Sequence, residues 1–216
     1  MRNILEYKYG AFVLGTSSGW QDKVEMGNGR AMGVEFFAEK TSGRMTGWVA
    51  YTLAKSDRIF PDGSINHGER FPYKYDRRHN LNLTFNYKFS RKVDMSASWN
   101  FSSGGMMTLP ERQTILSAED TSSGDEASFI SSRNNYRLPP SHRLNIGFNF
   151  HTIHRKWEGV WNISVYNVYN QMNPNFIFMN YDGKWNPETE TYDQSVVLKT
   201  VTILPILPSI SYTAKF

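Results

Sequence analysis

The sequence predicts an all-β chain, an antiparallel transmembrane β-barrel segment of about eight strands. Three observations predict it. Apolar and polar residues alternate with a period of two in one segment after another. Tight turns alternate with long polar loops between those segments. Aromatic residues are 15% of the 216 residues, and they gather at the ends of the apolar sets.

The expected strands are 4–14, 30–41, 44–56, 79–89, 93–101, 143–150, 157–170 and 194–216. The first carries the weakest pattern, because Glu6 and Lys8 supply only part of a polar face. Segment 79–89 carries a strong one. Leu81, Leu83, Phe85, Tyr87 and Phe89 fall on one side, and Asn80, Asn82, Thr84, Asn86 and Lys88 on the other. In 93–101 the sets are Val93, Met95, Ala97, Trp99 and Phe101 against Asp94, Ser96, Ser98 and Asn100. Residues 142–150 repeat 79–87: His79-x-Leu81-Asn82-Leu83-x-Phe85-Asn86-Tyr87 matches His142-x-Leu144-Asn145-Ile146-x-Phe148-Asn149-Phe150. Pro205 and Pro208 are expected to bend the last strand, since Pro donates no ladder hydrogen bond.

The connections at 41–44, 90–92 and 152–156 are tight. Those at 15–29, 57–74, 104–136 and 171–193 are long and rich in Gly, Ser, Asn, Asp and Pro. Membrane barrels sort their loops in this way, with the long ones outside the cell. The polar sets are mostly Asn, Ser and Thr, where a soluble strand surface carries more Lys and Glu. Phe85, Ile146 and Phe148 are therefore expected to face lipid, and Asn82, Thr84, Asn86, Asn145 and Asn149 a wet lumen.

Composition excludes several classes. Mean hydropathy is −0.53, and no run of about 18 apolar residues exists to form a spanning helix. Strands that alternate evade that test. The absence of cysteine removes disulfides, thiolate metal sites and thiol nucleophiles. The net charge of +4 is scattered along the chain, so no nucleic-acid partner is expected. Met1 to Lys8 has no apolar signal-peptide core, so the chain reads as mature or as part of something longer. No nucleophile elbow, zinc-protease, P-loop or dinucleotide motif is present, so neither an enzyme nor a cofactor is expected.

The residues that invite a chemical reading are few. Asp76-Arg77-Arg78-His79 reads as a loop-to-strand junction, and His142 holds the equivalent place in the repeat. His151 and His154 flank a short turn with no third ligand beside them in sequence. Asp120, Asp125 and Glu126 lack calcium-loop spacing. Met106-Met107 reads as loop-tip packing. Tyr181, Trp185 and Tyr192 would suit a sugar or peptide, since aromatic rings offer flat apolar contact. No metal site is expected from any of these.

Four stretches carry a resemblance: Gly29-Arg30-Ala31-Met32-Gly33-Val34-Glu35; Ser42-Gly43-Arg44-Met45-Thr46-Gly47-Trp48-Val49-Ala50-Tyr51-Thr52-Leu53-Ala54-Lys55-Ser56; Phe71-Pro72-Tyr73-Lys74-Tyr75-Asp76-Arg77-Arg78-His79; and Ile206-Leu207-Pro208-Ser209-Ile210-Ser211-Tyr212-Thr213-Ala214-Lys215-Phe216. In this order they resemble the C-terminal barrel of TonB-dependent outer-membrane receptors of the Bacteroidetes type, across nearly the whole chain. The resemblance implies that residues 1–216 are about the last third of a 22-stranded barrel, without its plug domain. It implies a place in the outer membrane of a Gram-negative bacterium and a parent that takes up a scarce, large ligand. Siderophore, vitamin, glycan and peptide all remain open. The implied partners are outer-membrane lipid, the barrel assembly machinery, and the TonB complex through N-terminal parts of the parent. Tyr212 and Phe216 resemble the terminal signal that the assembly machinery reads. The rival expectations are a complete small eight-stranded barrel serving as anchor or adhesin, and an outer-membrane hydrolase with loop-borne residues.

Overall fold

The structure, a computed structural model, describes residues 1–8, 19–116, 125–153, 155, 157–188 and 191–216; the side chains of 112–116, 125–128 and 191–196 and of Met179, Tyr181 and Asn186 lie outside that description. The chain is all-β, with 61% of residues in strands and 4% in helix. Among the described residues no helix is long and apolar enough to cross a membrane. In chain order the strands are β1 (Ile4–Tyr7), β2 (Val24–Lys40), β3 (Met45–Ile59), β4 (Phe71–Pro72), β5 (His79–Lys88), β6 (Val93–Ser102), β7 (Met106–Met107), β8 (Arg112–Leu116), β9 (Asp125–Phe129), β10 (Tyr136–Arg137), β11 (Ser141–Ile153), β12 (Glu158–Tyr166), β13 (Phe176–Asn186), β14 (Thr191–Val201) and β15 (Leu207–Lys215).

The main sheet runs β1-β2-β3-β5-β6-β11-β12-β15, with β4 attached to β3. β7 pairs with β10, β8 with β9, and β13 with β14. The bounds depart from the expected ones in instructive places. β2 begins at Val24, within the expected 15–29 loop. β1 stops at Tyr7, and most of the rest of the expected 4–14 strand lies outside the described residues. The expected loop at 171–193 instead holds β13 and the first residues of β14, because Phe176-Ile177-Phe178 are strong strand formers, and the rest of β14 falls in the expected 194–216 strand. The expected last strand divides in two. Residues 202–206, including Pro205, separate β14 from β15, and Pro208 is tolerated because β15, among the described residues, pairs only with β12. The path ends at β1 and β15, and among the described residues no pairing joins them.

Two compact units make up the chain: residues 1–35, 52–79 and 103–138 form the first, and 36–51, 80–102 and 139–216 the second. The first unit holds a small core of Phe60, Ile65 and Phe71, all fully or nearly fully buried, with Ile4 packed against it. The rings of Phe60 and Phe71 stack at 6.0 Å. Polar groups frame this core. Asn66 and His67 adopt left-handed backbone at φ 53, a conformation Asn tolerates. Asn66 Oδ1 accepts from the N–H of Arg133 at 2.6 Å. Asn134 donates to the Pro72 carbonyl at 2.7 Å, and Asn135 pairs with both backbone groups of Leu109. Gly104 is required where it stands, since a Cβ would run into the Leu138 carbonyl.

The second unit is built differently. Among the described residues its one buried hydrophobic side chain is Ile177. The short connection after β5 is closed by Ser90, whose Oγ accepts from the N–H groups of Lys92 and Val93.

Candidate functional site: the two-faced sheet of the second unit

Pairing registers across β5, β6, β11, β12 and β15 align the two residue sets into rows. On one face run Leu81–Phe101–His142, Leu83–Trp99–Leu144, Phe85–Ala97–Ile146–Val165–Pro208, Tyr87–Met95–Phe148–Ile163–Ile210 and Val93–Phe150–Trp161–Tyr212. Aromatic rings stand at both ends of this face, Trp99 and Phe101 at one and Phe150, Trp161 and Tyr212 at the other, and Phe85, Tyr87 and Phe148 stand among the aliphatic side chains of the middle. The face is open: Phe85, Phe148, Phe150, Trp161, Ile163 and Ile210 are all exposed, Ile210 by 66%. A patch of this extent on a protein surface marks contact with another apolar phase or partner.

The opposite face is a hydrogen-bonded lattice of amides and hydroxyls. Asn100 donates to Asn82 at 2.6 Å, Ser102 to Asn80 at 2.7 Å, and Asn145 to Ser98 at 3.1 Å. Asn162 donates to Asn149 at 2.7 Å, and Asn149 to Asp94 at 2.8 Å. Cross-strand pairs of this kind each contribute on the order of 0.2–1 kcal/mol. Ser96, Ser98, Asn145, Asn162, Ser164 and Tyr166 line a depression of about 480 Å³ around Gly147. Beside it Arg143 lies over the Tyr166 ring at 4.4 Å and bonds its hydroxyl, and Arg143 Nε is buried with no partner among the described residues. This face offers many hydrogen bonds and little charge. It can solvate a polar solute or a wet channel, and a nonpolar ligand gains little there.

Both ends of the lattice are anchored. Asn167 is fully buried at φ 56 and accepts from the N–H of Gln171 while donating to the Gln171 and Leu204 carbonyls. Its own N–H reaches Asn145 Oδ1 at 3.1 Å, which ties the loop after β12 to the polar face. At the short-turn end, His151 Nε2 lies 2.6 Å from Asp94 Oδ2 and Nδ1 lies 3.1 Å from Glu158 Oε1. The sequence shows no acidic neighbour of His151, and it took the strand register to supply two. Both ring nitrogens are engaged, so this histidine has no lone pair free for a metal. His154 lies outside the described residues.

The other residues singled out above fall as follows. Tyr212 sits on the apolar face against Trp161, ring centroids 4.7 Å apart, and Phe216 is fully exposed with its ring 6.4 Å from Trp157. Tyr212 lies in β15, and Phe216 lies just beyond its end. Asp76 belongs to the architecture of the first unit. Its side chain is 1% exposed and accepts from the Ser56 N–H, from Arg78 Nε at 2.9 Å and from Arg137 Nη2 at 2.7 Å. Burial pushes its carboxyl upward, and these donors more than offset that, so it titrates below the ordinary 3.8. His142 Nδ1 lies 2.8 Å from the Tyr169 hydroxyl, to which Trp99 also donates. Met106 and Met107 pair with β10. Trp185 is exposed and opposite Tyr192 in the β13–β14 register. Asp125 and Glu126 lie in β9, and Asp120 lies outside the described residues.

Comparison of the chain with protein-family models, with curated proteins and with solved structures found no match.

Proposed function

We propose that this chain is the C-terminal portion of the β-barrel of a TonB-dependent outer-membrane receptor, supplying wall and loops to a parent that takes up a scarce, large ligand. One observation carries the reading: a sheet with an open apolar face, aromatic at both ends, backed by a hydrogen-bonded polar face. Water on both sides would strand the apolar face, whereas lipid on one side and a wet lumen on the other satisfy both. The dimensions agree. From Val93 to Phe101 the strand advances about 27 Å, which at a tilt of about 40° spans about 20 Å, near the roughly 25 Å apolar band of such barrels.

Among the described residues β1 and β15 each have an edge without a partner strand, which favours a segment of a larger barrel over a complete small one. Backbone groups left unpaired in hydrocarbon cost several kcal/mol each, so β1 and β15 need partners. The short Asn, Ser and Thr residues of the polar face would also leave a narrow eight-stranded interior poorly filled. On this reading the plug gates passage, the long loops capture ligand, and Tyr212 and Phe216 serve the assembly machinery.

The experiment is fractionation of cells that make the protein, with antibodies raised to residues 57–74, followed by uptake assays on a panel of labelled siderophores, cobalamin, glycans and peptides. The expected result is an outer-membrane band and one ligand whose accumulation is lost equally on deleting this reading frame or TonB. Recovery of the protein in the aqueous fraction would defeat the proposal.

A further inference from the structure

The short connections of the second unit are cationic. Lys40 and Arg44 flank the first, Arg91 and Lys92 lie in the second, and Arg155 in the third; all five are exposed. Among the described residues none of the five forms an ion pair. In the first unit Arg58, Arg70, Arg78, Arg133 and Arg137 all do. Three carboxylates stand nearby, Asp94 and Glu158, which share His151, and Glu39 beside Lys40, and the five cations outnumber them. An exposed cation in water needs no partner, so the charge alone means little. Its setting is what points to a ligand. The same strand ends carry Phe89, Trp157, Trp161, Tyr212 and Phe216, the residue types that sit at a lipid–water boundary.

Two depressions lie at this end. Arg44, Lys88 and Arg91 line one of about 570 Å³ at the end of the polar face, together with Phe89 and the His151 cluster. The other, of about 320 Å³, is mainly apolar, lined by Ala38, Lys40, Met45, Val49 and Phe85 around Gly47. Gly47 adopts φ +156, and a Cβ there would run into the Thr84 carbonyl, so neither a side chain nor a shifted backbone fills the groove.

We propose that the short-turn end of this sheet binds anionic phospholipid. Arg44, Arg91, Lys92 and Arg155 pair with phosphate headgroups, which guanidinium groups grip through two hydrogen bonds at once. An acyl chain lies in the apolar groove at Gly47, beside Lys40. The inference rests on the membrane reading above and adds to it a leaflet of defined charge at this end.

The test is tryptophan quenching in the full chain reconstituted into phosphatidylcholine vesicles, titrated with brominated phosphatidylglycerol or brominated phosphatidylcholine in 0.15 M salt. The expected ratio of effectiveness is at least about fivefold in favour of phosphatidylglycerol, the gain that even one of these four cations near an anionic surface supplies. Combined Arg44→Gln, Arg91→Gln, Lys92→Gln and Arg155→Gln should bring the ratio to about one, with strand content by circular dichroism unchanged. Arg70→Gln, which removes a paired arginine of the first unit, should leave the fivefold ratio intact. Equal quenching by both lipids overturns this inference and leaves the membrane reading standing. Absence of quenching by either overturns both. A preference that survives the fourfold substitution overturns the assignment to these residues. A preference erased by millimolar inorganic phosphate overturns lipid as the occupant, in favour of a free anion.

Discussion

In the first unit Phe60, Ile65 and Phe71 are packed away from solvent, and Glu6, Asp57 and Asp76 each hold an arginine. In the second unit the aromatic and aliphatic side chains of five paired strands stay exposed or half-exposed, and the described cations of the short turns form no ion pair. The first unit has a closed apolar cluster with ion pairs around it, while Met32, Val34 and Leu53 on its strands are exposed. The second has a hydrogen-bonded polar face and, among the described residues, an exposed apolar face opposite it. The difference teaches where each draws its stability. The first carries its own interior, while the second depends on what touches its apolar face.

The largest expected effect separates the two directly. Phe71→Ala removes a ring from the only buried apolar cluster described in the first unit, and Phe→Ala changes in such sites cost about 3–5 kcal/mol. Hydrogen exchange should show protection lost across residues 52–79 and 103–111, with β11 and β12 little changed. Loss spread equally over both units would erase the distinction.

Next comes the apolar face. Phe148→Arg at mid-strand should destabilise the lipid-inserted protein by about 2–4 kcal/mol, and Asn149→Arg, one residue along and on the other face, by far less. Denaturant unfolding from lipid vesicles measures both. Equal costs would remove the two-phase account of the sheet.

A smaller effect concerns acid. The Asp76 carboxyl is held below its ordinary 3.8 in the folded chain. A group whose folded value is depressed contributes its full stability above the unfolded value and loses it as pH falls through the folded value. Protection of the first unit should therefore decline below about pH 3.8, and Asp76→Asn should flatten that decline while lowering stability at neutral pH. A decline of the same size in the Asp76→Asn protein would assign the acid sensitivity elsewhere.

Much of the second unit is legible from residue order alone, for a physical reason. Alternation in β5, β6 and β11 is local information, so the facing of Phe85, Trp99 and Phe148, and of Asn82 and Asn145, follows from counting by two. What depends on register is not legible. Asp94 and His151 are 57 residues apart, and only the β6–β11 pairing brings them to 2.6 Å. Asn167 looks like any loop amide until its left-handed backbone and complete burial are seen. A Tyr-Asn-Val-Tyr-Asn stretch with two asparagines at turn positions was the available signal. The β13 strand is hidden by its setting beside the polar turn at Asn186-Pro187-Glu188, which makes it read as part of a long loop, whereas most of β14 falls in the expected 194–216 strand. Asp76 reads as one charge in a cluster of four, and burial alone distinguishes it from Arg77 and His79.

The central claim is that the second unit stands between lipid and water, and spin-label accessibility along β11 tests it most directly. The chain has no native cysteine, so single Cys substitutions at positions 143–150 can each carry a nitroxide in lipid vesicles. Oxygen concentrates in hydrocarbon, and a water-soluble nickel chelate does not enter it. The account predicts two period-two oscillations in opposite phase: oxygen collisions high at 144, 146, 148 and 150, and nickel collisions high at 143, 145, 147 and 149. Nickel collisions high at Phe148 and Phe150, or oscillations in the same phase for both reagents, would contradict it.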